Sequence, residues 1–437
     1  MAVTYRGVAG LTGADKFFIG HSNKLLDNLL GDTFLAQPLA EKRRRLNLSS
    51  LVVEAVVETI TVDPAIPDRD YGKGMPKASI DALADVDISS EYRFSSKAKL
   101  RSLMTCFRVP QEFHLSVADG GHKFSGEEAL LLWLYRSTTN TSFFLMEKDF
   151  HRQYSVLSKI YTYFSRWMER SWGYLHTDNF QYWNAFLPGF AEAIEARMTA
   201  NNGGINPFAA DGGRCGIFGF VDCMIQETNV PAAGPLGPGP NAPRADPGGH
   251  IQRLFYNGWL HLHGYKVLSV HLPNGMTYYV SPLYSATRND LWLLRESQFN
   301  NRTLQSQQQE PQLAINAGRV PNDIVYHVYG DSIFPWRECV RSKYNVLPLT
   351  PLEALFNRLR NQVRECVEWS YRNIGAFFGI VRTPKKMRLK QSDIQAISAC
   401  AWLLTDALNC VDHHQTAQYF DLEPPTLAHW TQAGPRV

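Results

Sequence analysis

The sequence predicts an α/β unit, a mixed sheet flanked by helices, preceded by an all-α domain with a helix-turn-helix-like unit. Three observations carry this. From Ser89 to Arg197 apolar residues recur at helical steps of three and four. Beyond Gly203 the pattern changes to short β-branched and aromatic runs, among them GIFGFVDC (216–223) and DIVYHVYG (323–330). Finally, the runs 265–272 and 276–283 flank Pro273-Asn274-Gly275, and Asn-Gly between apolar runs signals a tight hairpin.

In chain order, residues 1–90 read as an extension and linker. They hold an apolar stretch at 51–62 and a basic tetrad, Lys42-Arg43-Arg44-Arg45, which suits an import signal, a phosphate contact or a solvated helix face. Residues 91–200 form the helical domain. Ser125 caps GEEALLLWLYRST, the short helix SFFLMEKDF follows, and the third helix carries Arg152, Lys159, Arg166 and Arg170 in or beside its apolar pattern. Such a trio resembles a helix-turn-helix that reads DNA, and equally a packing module. The α/β domain spans 201–415, interrupted at 230–249 by PAAGPLGPGPNAPRADPGG, which is too rich in Pro and Gly for regular structure. Residues 300–322 read as a polar loop, Ser392 as the cap of an apolar helix, and 416–437 as a tail broken at Pro424-Pro425.

Candidate chemistry centres on two acids. The strand run 324–329 ends at Gly330 and leaves Asp331 at its carboxyl end, where open α/β sheets place their sites. Thr350-Pro351 opens an amphipathic helix whose polar face carries Asn357, Asn361, Arg364, Glu368 and Arg372 as one stripe. Glu368 and Asp331 brought together would repel, and a divalent cation removes that conflict. A third, upstream strand-end acid is then expected, and Asp222 closes the run 217–221. The plainer alternative is that Asp331 closes a turn while Glu368 pairs with Arg364 or Arg372. Asp290 reads first as a helix N-cap, and His261, His263 and His271 as ordinary strand histidines before metal ligands. The basic run RTPKKMRLK (382–390) follows the acid-bearing helix and is a candidate phosphate contact.

These motifs resemble the PIF/Harbinger-type DDE transposases and transposase-derived nucleases. The resemblance rests on GFVDC around Asp222, YNGWLHLHGYK (256–266), RNDLWLLRES around Asp290, YGDSIFP around Asp331 and NRLRNQVRECVEWSYRNI around Glu368, with QTAQYFDLEPPTL (415–427) at the end. It covers roughly residues 90–430. It implies a ribonuclease-H-like catalytic domain in which Asp222, Asp331 and Glu368 bind two Mg²⁺ ions (Mn²⁺ being a possible substitute), with Asp290 secondary. Arg364, Arg372, Lys385, Lys386, Arg388 and Lys390 become DNA-binding candidates. Transposon ends and target as double-stranded DNA, a Myb-like accessory protein, a homo-oligomer and a nuclear location are implied with it. Two departures stand out: Asn289-Asp290 where the family usually has His-Asp, and Trp259-Leu260 where it usually has a basic pair.

Composition sets few further bounds. The 437 residues exceed a usual single domain, and 44% hydrophobic content is ample for a large core. A net charge of +3 leaves nucleic-acid binding to local clusters. Seven scattered cysteines without a close CxxC pair fit reduced thiols and argue against zinc. No uninterrupted apolar run approaches the ~20 residues of a membrane span. MAVTYRGVAGL lacks the build of a secretory leader, so an intracellular protein without a membrane segment is expected.

Overall fold

A computed structural model of the chain describes residues 77–208, 215–230, 250–310, 326–388, 392–412 and 415–436. The basic tetrad 42–45, the apolar stretch 51–62, nearly all of the 230–249 insertion, residues 323–325 and Lys390 lie outside the described residues.

A mixed sheet is built from β1 (Ile217–Glu227), β2 (Tyr256–Asn257), β3 (Leu262–His271), β4 (Thr277–Val280), β5 (Tyr284–Ser285), β6 (His327–Tyr329) and β7 (Val340–Arg341). Its order is β2-β3-β1-β6-β7, with β4 and β5 also paired to β3. β3 runs antiparallel to β1, whereas β6 and β7 run parallel to it. This mixed sheet flanked by helices fits the ribonuclease-H-like fold that the resemblance implies. The β3–β4 hairpin turns where Asn-Gly places it: Gly275 adopts φ +83° and Asn274 Oδ1 accepts from Met276 N at 3.2 Å.

The flanking helices needed below are α1 (Gly126–Thr139), α2 (Phe143–Phe150), α3 (Tyr154–Trp172), α4 (Asp290–Glu296), α5 (Phe299–Gln308), α6 (Pro351–Arg364), α7 (Cys366–Phe377) and α8 (Ile394–Asp412). Ser125 caps α1 as expected, accepting from Glu128 N at 3.0 Å. Thr350 and Glu353 form a reciprocal capping box on α6. The cap of α8 is Asp393 rather than Ser392, since its Oδ1 accepts from Ala396 N at 3.2 Å.

One apolar cluster runs from Ile80 to Trp430 and joins helical and sheet regions. α3 buries Leu157, Ile160, Phe164 and Met168 and packs along α8. α8 is long and apolar enough to cross a membrane by length and composition alone, yet most of it is buried in this core. The expectation that no segment approaches a span is corrected to that extent. Three of the four cations of the helix-turn-helix-like unit reach other segments of the fold, while exposed Arg170 bonds its own helix. Arg152 pairs with Glu128 at 2.9 Å and Arg166 with Asp393 at 2.6 Å, while Lys159 donates to the Asp119 carbonyl at 3.0 Å and Arg170 to that of Arg166 at 3.3 Å. That geometry is what a packing module needs. The C-terminal residues return to the same layer: Trp430 is buried beside Phe107 and His176, and Tyr174 Oη donates to Gly434 O at 2.8 Å.

The supposed polar loop after residue 300 begins as a helix, α5. Beyond Phe299 at its start, the side chains it buries are polar. Gln307 pairs with both backbone groups of Tyr326, at 2.8 and 2.9 Å, and Asn184 donates to Ser306 O at 3.0 Å.

Candidate active site

Asp222 lies in the middle of β1 and not at its end, because β3 keeps pairing with it as far as Glu227↔Gly264. On the other edge of β1, β6 pairs only as far as Phe220↔Tyr329. Asp222 therefore stands where its parallel neighbour stops, the position in the sheet that a strand-end acid would occupy. Gly330 makes the approach possible. A Cβ there would meet the Phe334 ring at 2.6 Å and Val221 Cγ1 at 2.7 Å, so only glycine lets the chain pass this close to β1 before Asp331. Asp331 does also close a turn: its carbonyl accepts from Phe334 N at 3.0 Å and its Oδ1 from Ser332 Oγ at 3.2 Å. The turn that the plainer reading expected of this residue is present.

Burial raises the Asp222 carboxyl above the ordinary carboxylate range. The Cys223 N–H, donating at 2.8 Å, and the Arg364 guanidinium at 3.2 Å oppose that rise, whereas the charges of Asp290 and Asp331 add to it. Asp290 is the first residue of α4 and not its cap, which is Asn289, accepting from Trp292 N at 2.8 Å. It is held by Lys266 at 2.6 Å, a partner that the sequence did not reveal.

The helix expected to present a single polar stripe is two helices. α6 ends at Arg364, Glu365 makes a turn, and Glu368 N bonds the Glu365 carbonyl at 3.1 Å in a tightened i→i−3 step. The stripe accordingly divides. Asn357 bonds both backbone groups of Tyr344, Asn361 accepts from Tyr329 Oη at 3.2 Å, and Arg364 reaches Asp222. Glu368 is exposed in the first turn of α7. Among the described residues no group of three or more His, Cys, Asp or Glu side chains is arranged to hold a metal ion.

The remaining candidates are placed as follows. Arg372 is exposed, and its carbonyl accepts from Arg382 at 2.9 Å. Lys385 and Arg388 are exposed on the loop after α7, and burial lowers the half-buried Lys386 ammonium below its usual range, with Arg136 and Arg388 adding to the effect. That loop is fixed to the sheet by Asn229 N, which donates to Met387 O at 3.0 Å. The three histidines do not converge. His271 is buried against Ser269, Tyr371 and Trp402, while His261 and His263 both contact Tyr256.

Residues 240–405 match the family model described as DDE superfamily endonuclease. The match includes Asp290, Asp331 and Glu368 and begins after Asp222. It supports the DDE endonuclease superfamily for this segment, and with it nuclease or transposase chemistry on DNA, which that superfamily generally performs with divalent metals. No curated protein and no solved structure matches the chain.

Proposed function

We propose that this chain is a PIF/Harbinger-type DDE transposase, or an endonuclease derived from one, that cuts and joins double-stranded DNA by two-metal phosphoryl transfer. The observation carrying the proposal is the delivery of Asp331 beside Asp222 across Gly330, with like charge acting between them. Two carboxylates so placed, with Asp290 near, form an oxygen-donor set whose repulsion a hard cation relieves. Asp222 and Asp331 would hold Mg²⁺ (or Mn²⁺), with Glu368 as the third ligand once α7 presents it to the other two. The bound ions supply activation of water or a 3′-hydroxyl and stabilise the leaving oxygen. Arg364 holds the Asp222 carboxylate that would ligate the cation. It is near enough to meet a phosphate oxygen, for which a guanidinium fork is well shaped. Lys385, Lys386, Arg388 and Lys390 would steer the DNA backbone, and Arg372 adds a cation on the same side as Glu368. Nuclear location, a homo-oligomer and a Myb-like accessory protein belong to the same proposal.

A second reading has its own support. Arg364 pairs with Asp222 and Lys266 with Asp290, and among the described residues no three His, Cys, Asp or Glu side chains are arranged to hold a metal ion, as in a DNA-binding or scaffold descendant that no longer cuts. A Mg²⁺-dependent cleavage assay on plasmid or element-end DNA separates the two. Wild type should cut, and Asp222→Asn, Asp331→Asn and Glu368→Gln should each lose at least about a hundred-fold, as removal of a metal ligand does. Equal cutting by wild type and Asp331→Asn removes the site assignment, and no cutting by either leaves the scaffold reading.

A further inference from the structure

The short hairpin of β2 and β3 ends in a tryptophan that the fold does not use. Trp259 is 90% exposed, with Leu260 beside it at 47%. Its position is nonetheless firmly set. Asn257 Oδ1 accepts from both Trp259 N and Leu260 N at 3.0 Å, and Asn257 Nδ2 donates to Ala286 O at 2.7 Å. Tyr256 Oη and His261 Nδ1, 3.1 Å apart, close the other side of the turn. A large ring held out in water on a tied backbone loses little freedom when something flat covers it.

What surrounds the tip narrows the choice of partner. The C-terminal end of β1 is bonded on one side to this hairpin, Thr228 N to His263 O at 2.9 Å, and on the next residue to the basic loop, Asn229 N to Met387 O at 3.0 Å. Thr228 and Asn229, the two residues that follow β1, thus tie down the ring-bearing hairpin and the loop of Lys385, Lys386 and Arg388 in turn. Exposed Arg253 lies on the helix His250–Phe255 that leads directly into the hairpin, and Glu227 is the exposed acid at this strand end. An aromatic face beside a run of cations is the composition that takes a nucleic-acid strand: phosphates on the cations and a base on the ring. Five steps along β1 lead from Asp222 to Glu227, on the order of 17 Å at ~3.3 Å per residue, so the strand end that carries this hairpin lies about five nucleotides from the acid.

We propose that Trp259 stacks on an unpaired base of the DNA strand whose phosphates lie on the 385–388 loop, so that this shelf grips single-stranded or frayed DNA flanking the acids. The proposal rests on the DNA-processing reading above and adds a subsite to it. The test is fluorescence anisotropy in EDTA, with a mixed-sequence oligonucleotide single-stranded and as a blunt duplex. Trp259→Ala should weaken single-strand binding roughly ten-fold or more and duplex binding less than about two-fold, while Trp259→Phe retains most of the affinity. The combined Lys385→Ala and Arg388→Ala variant should weaken both ligands and flatten the salt dependence. Wild-type affinities in Trp259→Ala, or equal losses on both ligands, overturn the stacking role while leaving DNA cutting by the wild type to stand on its own assay. A change in oligomeric state of Trp259→Ala by light scattering without DNA assigns the tip to a second copy of the chain and overturns it too. Wild type that binds neither ligand removes both this proposal and the one beneath it.

Discussion

At the scale of single residues, the contact between Arg364 and Asp222 decides how the site behaves with pH. Burial pushes the Asp222 carboxyl up, and the guanidinium 3.2 Å away is one of the two groups holding it down. A carboxylate must be ionised to ligate a cation, so any activity that needs Asp222 charged is fully present well above its raised pKa and is lost as pH falls through it. Arg364→Gln removes a counter-charge. The carboxyl then rises further, and the acid limb of the pH–activity profile should move to higher pH relative to wild type. Arg364→Lys, which keeps the charge without the fork, should move it less. A limb that stays in place or moves to lower pH in Arg364→Gln would show that the guanidinium does not act on the ionisation of Asp222.

At the scale of elements, the site depends on how closely β6 and its following turn approach β1. Gly330 is the sensitive point, since a methyl group there would sit within 2.7 Å of both Val221 and Phe334, and neither is a flexible side-chain end. Gly330→Ala should destabilise the fold by about 1–3 kcal/mol through overpacking, read from chemical denaturation. It should also reduce cleavage more than that loss explains when assayed well below the melting temperature, because Asp331 is displaced along with the backbone. Unchanged activity with a lowered melting temperature would place Asp331 outside the reaction. The same scale shows what can be read from local sequence. The Asn274-Gly275 turn, the Thr350 capping box and the Ser125 cap are each settled within four residues, and the structure has all three. α5 escaped because after Phe299 its buried face is Thr303, Ser306 and Gln307, which leaves no apolar period. The break at Glu365 carries neither Gly nor Pro, so nothing in the sequence warned of it. The inward turn of Arg166 depends on Asp393, 227 residues away along the chain. The place of Asp331 just beyond a strand end was legible, whereas that of Asp222 within β1 was not.

At the scale of the whole molecule, helical layer and sheet are joined by a buried polar knot as well as by shared apolar packing. Asp406 on α8 accepts from Thr277 N at 3.0 Å and Thr277 Oγ1 at 3.1 Å, both on β4, and meets His176 Nε2 at 2.8 Å. Its side chain is 1% exposed and that of His176 is 4% exposed, so no water can replace a lost partner at either group. Trp430, close to the C-terminal end of the described chain, covers His176 from the other side at 5.9 Å between rings. One carboxylate therefore ties the helical layer, α8 and the sheet edge. Asp406→Ala should cost about 3–5 kcal/mol, the range for breaking a buried hydrogen-bonded pair, and Asp406→Asn markedly less, since an amide still offers an oxygen to Thr277. Because one core runs through both layers, the loss should appear as a single transition shifted to lower denaturant in tryptophan fluorescence and far-ultraviolet circular dichroism alike. Two separated transitions in the Asp406→Ala variant would show that the helical layer and the sheet fold as independent units. The helix-turn-helix-like segment could then be studied alone, as an interlocked core does not allow.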